Sequence, residues 1–70
     1  MVEKTIHLTG TSTNSIEDAV GLAVTRAAAT IDGIRQAEIA GVTALVEDGT
    51  VTAWRVSLRV SFAVQERLHE

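Results

Sequence analysis

The chain reads as an α+β domain in which the elements run β-α-β-β. Three observations predict it. "VEKTIHLTG" alternates, with Val2, Ile6 and Leu8 on one side and Glu3, Thr5, His7 and Thr9 on the other, the period of a half-buried strand. From Ile16 the period changes, and Ile16, Ala19, Val20, Ala23, Val24, Ala27 and Ile31 recur at helical spacing. The last third, "TVTAWRVSLRVSFAV", has no glycine or proline and alternates again.

Each element has its punctuation. "GTSTNS" is a cluster of turn and cap formers, and Ser15 with Asp18 fits an N-cap and its acidic partner. The stripe that follows is mostly Ala and Val, so the helix can lie close against a sheet. Its other face carries Glu17, Asp18, Thr25 and Arg26 but also Leu22 and Ala29, which implies partial cover by a neighbour. Gly33 is placed as the helix stop, for a helix of about 16 residues and roughly 24 Å. A second strand runs from about Ile34 to Glu47 with blurred alternation: Ala37, Ile39 and Leu45 on one side, Ala40, Val42, Ala44 and Val46 on the other. Asp48-Gly49 then fits a two-residue hairpin turn, whose central residues need positive φ. In the final strand Trp54, Val56, Leu58, Val60, Phe62 and Val64 face one way, and Arg55, Ser57, Arg59 and Ser61 the other. That strand, Val51 to Val64, is over 40 Å long at about 3.3 Å per residue. The helix is too short to cover it, so the apolar overhang is read as an assembly surface.

Composition points the same way. A chain of 70 residues is one small domain of a size that usually needs a staple. There is no Cys, so no disulfide or thiolate metal site is available. The two His, His7 and His69, stand at opposite ends. Oligomerisation is the staple left, and a 46% hydrophobic content is generous for this size. A net charge of -3 with scattered Lys and Arg disfavours nucleic acid. No apolar run approaches a membrane span, and "MVEKTIHL" has no apolar signal region. The expected location is the cytoplasm.

"LTGTS", a capped helix with "RAAATI", then "VEDG" and "WRVSLRVSF" together resemble the dodecin family over essentially the whole chain. The resemblance implies a three-stranded antiparallel sheet wrapped around the helix, and assembly as a hollow homododecamer. It implies no catalysis, and storage of a flavin, FMN or riboflavin, two per site. In flavin-binding dodecins a Trp in the second strand stacks on the ring and a Gln in the third bonds its polar edge. The matching positions here hold Gln36 and Arg55, with Ala37 beside the first. Both contacts are replaced. "IRQ" and "WRV" resemble a branch of the family without that Trp, in which calcium binding is the alternative function.

The remaining candidates are weaker. Trp54 lies one residue from the flavin-contact position, hence on the opposite face, and is read as packing on the helix side. Glu38, Glu47 and Asp48 are the carboxylates nearest a possible metal site. Val56, Leu58, Val60 and Phe62 are the expected assembly row. Ser12 and Ser15 are cap and turn residues, His7 a surface strand residue, and Arg26 and Arg59 ion-pair partners between subunits. The five glycines form no phosphate-binding motif. The expected partners are further copies of the chain and a small-molecule ligand.

Overall fold

The computed structural model of the chain describes residues 2–64; His69 lies outside them. Four elements follow the expected order: β1 (Val2–Ser12), α1 (Ile16–Ala28), β2 (Ile34–Glu47) and β3 (Thr50–Val64). The sheet is antiparallel in the order β1-β3-β2, so the last strand is the central one.

The β1–β3 ladder is unbroken from Val2↔Val64 to Ser12↔Trp54. The β2–β3 ladder shifts register at three places. Arg35 and Ala40 stand unpaired on β2, and Thr52 on β3. These bulges explain the blurred alternation of β2 and correct its faces. Directly paired residues share a face. Ala37, Ile39, Val42 and Ala44 pair with Val60, Leu58, Val56 and Trp54, so all four lie on the helix side. Leu45 pairs with Ala53 and turns the other way. Each extra residue inverts the parity that a strict period of two assumes.

The core forms where α1 meets the middle of the sheet. Val56, Leu58 and Val60 are completely buried together with Ala19 of the helix, and Ala23 is buried beside them. Ile6, Leu8, Ile16, Val20, Val24, Ile34 and Ala37 pack around them. The Ala stripe lets the helix approach closely, and Gly10 marks the tightest point. A Cβ there would collide with the Ala19 carbonyl oxygen and lie 2.9 Å from the Ala23 Cβ.

The helix start is as the sequence predicts. Ser15 is extended, and its Oγ accepts from the Asp18 N–H at 2.9 Å. The Asp18 carboxylate, however, accepts from the Ser12 hydroxyl at 2.6 Å. Ser12 in turn accepts from the backbone N–H of Asn14 at 2.8 Å and of Ser15 at 3.3 Å. Ser12 is thus the buried hinge between β1 and the helix, and β1 extends two residues past Gly10. The helix end is not as predicted. It stops at Ala28, and a tight turn brings the N–H groups of Thr30 and Ile31 to the Ala27 carbonyl at 3.1 and 3.0 Å. Gly33, at φ 77, belongs to the connection into β2, where its carbonyl accepts from Ala63 N–H at 3.3 Å.

The helix of 13 residues is about 20 Å long. The 15 residues of β3 extend about 50 Å, in a chain measuring 61 × 19 × 13 Å. The overhang is therefore real, and β3 runs through it as one continuous strand. The assembly row needs correction. Val56, Leu58 and Val60 lie under the subunit's own helix at 0% exposure, so they cannot meet a neighbouring copy; Phe62 is half-buried. The uncovered apolar surface lies elsewhere, at Ile39, Val42, Val46, Val51 and Leu22, all about half-exposed. Trp54 is on the helix-side row as expected, but it sits past the helix, half-buried and outside the core cluster.

Candidate functional site

The sheet face turned away from the helix is polar. Cross-strand register lays its side chains out in rows over β1, β3 and β2. Thr5–Ser61–Gln36 is followed by His7–Arg59–Glu38, Thr9–Ser57–Gly41 and Thr11–Arg55–Thr43. The chain has one Trp, one Phe and no Tyr, and Trp54 and Phe62 both belong to the helix-side row. No Trp, Phe or Tyr side chain projects from this polar face, and its one ring is the His7 imidazole.

Gln36 and Arg55 are both exposed and both on it. Gln36 pairs with Ser61, six positions along β3 from Arg55, a separation of about 20 Å. One subunit does not bring them together. Ala37 points to the helix side and packs against the core, away from Gln36. A flavin placed on this face of a single subunit meets an amide or a guanidinium but no aromatic platform, and its second contact must come from another copy.

Glu38 is committed within the subunit. Its carboxylate takes a paired contact from Arg59, with Oε1 3.1 Å from Nε and Oε2 3.1 Å from Nη2. The hydrogen bond, then the charge, of Arg59 holds the Glu38 carboxyl below its ordinary range, and Glu38 raises Arg59 in the same way. Both side chains are about half-exposed, so the pair fixes register more than it adds stability. The partner of Arg59 is therefore internal, on the neighbouring strand. Glu47 and Asp48 sit at the hairpin tip, where Asp48 at φ 50 and Gly49 at φ 76 make the turn their sequence predicts.

Among the described residues no three His, Asp or Glu side chains gather where a metal ion would sit. Calcium takes about six to eight oxygen ligands. Glu47 and Asp48 of one copy supply only part of that set, so a calcium site built from them needs carboxylates of other copies. Sequence reading did not single out an open cleft of about 800 Å³ beside the outer edge of β1, lined by Gly10, Gly21, Leu22, Thr25 and Arg26. Its one sequence signal was Leu22, an apolar residue on the polar side of the helix. No helix among the described residues is long and apolar enough to cross a membrane.

These features define a class: a small β-α-β-β subunit with one sheet face packed on a short helix and a polar face left open. The Dodecin family model matches residues 2–65, and the chain belongs to the dodecin family. Solved structures agree. Dodecin from Streptomyces coelicolor is 33% identical over 94% of each chain, with a TM-score of 0.88. A Thermus thermophilus protein is 29% identical over 94% of this chain and 97% of its own, also at 0.88. A calcium dodecin of Mycobacterium tuberculosis, described as calcium-chelating with a novel calcium-binding site, is 33% identical over 100% of both chains at 0.82. No curated protein matches the chain.

Proposed function

We propose that the chain is one subunit of a non-enzymatic homododecameric shell that holds a small ligand in the cytoplasm. The observation that supports it is the uncovered strip of Val42, Val46 and Val51, which are 46%, 58% and 46% exposed on the same sheet face whose central residues are fully buried. Apolar side chains in a strip of that kind are stabilised by burial, at about 25 cal/mol per Å² removed from water, and further copies of the chain are the cover that family membership supplies.

For the ligand, flavin is the family reading, with Gln36 and Arg55 of different copies as its contacts. The exchange of an aromatic platform for Gln36 weakens stacking by about 1–3 kcal/mol, on the scale of base–aromatic contacts, so flavin affinity is low. Calcium is the second reading, favoured by the full-length likeness to the calcium dodecin, with Glu47 and Asp48 as carboxylates contributed by several copies. Native mass spectrometry with riboflavin, FMN or calcium tests both. A twelve-subunit mass that gains flavin supports the first, one that gains only calcium supports the second, and a monomer overturns the shell.

A further inference from the structure

The polar sheet face holds one cation whose surroundings contain no carboxylate. Arg55 is flanked on the same face by Thr11 of β1 and Thr43 of β2, its direct partners on either side. The next row presents Thr9, Ser57 and Gly41, and at Gly41 an added Cβ would meet nothing within 4 Å. All six residues are exposed. The nearest carboxylates along the face are those of Glu38 and Glu47, each two rows away on opposite sides, and Arg59 already holds Glu38. Arg55 itself makes no salt bridge among the described residues. The arrangement is therefore one positive charge, four hydroxyl groups and an open floor, on a chain whose net charge is -3.

We infer that Arg55, with Thr11, Thr43 and Ser57, is a binding site for a tetrahedral oxyanion, a phosphate group in particular. The planar guanidinium presents donors in a fork that matches two phosphate oxygens. Flanking hydroxyls donate to the remaining oxygens, and each can turn to suit. Both β1 and β2 pair with β3 at this point, so Arg55 and Ser57 sit on a strand hydrogen-bonded on both edges, with Thr11 and Thr43 on the strands to either side. The site deepens the reading of a ligand-holding shell, on which its storage role rests: the ligand is held by its phosphate rather than by ring stacking. The anion contacts themselves come from one subunit.

The test is phosphorus NMR titration of the full chain with inorganic phosphate and, separately, with phenyl phosphate, alongside the native mass of each sample. The wild type binds phosphate saturably. Arg55→Gln weakens binding about tenfold or more, the scale of a charged hydrogen bond, and Thr43→Val about fivefold, that of a neutral one. Arg35→Gln removes the same charge at an unpaired bulge residue and stays within about twofold, as expected when net charge alone is altered. Tighter binding of phenyl phosphate than of phosphate identifies an organic phosphate as the ligand class, and equal binding identifies the free ion. The site is overturned if the assembled wild type binds neither probe, or if Arg55→Gln binds as well as the wild type or no worse than Arg35→Gln. Phosphate binding through Arg55 by a chain that stays monomeric overturns the shell and upholds the site. A monomer that binds neither probe overturns both.

Discussion

The two halves of the sheet are built from the same residues and live in different surroundings. Under the helix, Val56, Leu58 and Val60 are wholly buried; past its end, Val46 and Val51 on the same face are about half-exposed. The change of environment comes from the 13-residue span of α1, which stops over a sheet more than twice its length. Burial in this chain is set by what lies over a residue, and the residue's own hydrophobicity is uninformative about it.

Substitutions that probe the two halves separate them by size. Val60→Asp has the largest expected effect, because it puts an unpaired charge at a fully buried position; the protein should yield no folded material, and a normal unfolding transition would break the comparison outright. Leu58→Ala should cost about 2–5 kcal/mol in denaturant unfolding through the cavity it leaves. Gly10→Ala should cost about 1–3 kcal/mol by overpacking against the Ala19 carbonyl and Ala23. Gly41→Ala, in open space on the polar face, should leave stability unchanged or raise it slightly. In the overhang, Val46→Asp removes none of the helix packing, so circular dichroism should keep its helical signal while the native mass falls to that of small species. Persistence of the large particle would show that the overhang is not the contact surface.

The smallest effect belongs to the polar face. Glu38→Gln should lower the melting temperature only slightly, since the pair with Arg59 is exposed. Its pH dependence has a definite sign. Arg59 depresses the Glu38 carboxyl below its ordinary 4.5, so the contribution is complete above that value and is lost as pH falls through the lowered one. Melting curves of wild type and Glu38→Gln should therefore converge in acid and separate near neutrality.

Much of this was legible in the residues. Asp48-Gly49 marked its turn exactly, because few residues other than Gly, Asn and Asp accept positive φ. Ser15 marked the helix start, and the bounds of β2 came out as read. The faces of β2 did not, because a bulge at Arg35 or Ala40 leaves no residue-type signature and inverts everything beyond it. Gly33 misled because its positive φ serves the entry to β2 and the helix ends earlier without a glycine. At the candidate site, the place of Arg55 on the polar face followed from the alternation of β3, whereas that of Gln36 did not, because β2 alternates irregularly. Their distance did not follow either, since it depends on register between strands. The neighbours of Arg55 are likewise a product of pairing: Thr11 and Thr43 lie far from it in sequence.

The central place of β3 has a consequence for how the chain acquires its structure. Both other strands pair with β3 and neither with the other, so the ladder has no part that can close before the C-terminal segment is made. The β2–β3 hairpin is local and closes quickly, on the order of microseconds. Attachment of β1, whose ladder runs from Val2↔Val64 to Ser12↔Trp54, must close most of the chain into a loop. Synthesis from the N-terminus thus delivers a strand and a helix with nothing to dock on, and a ribosome that stalls before Thr50 holds a chain without any sheet.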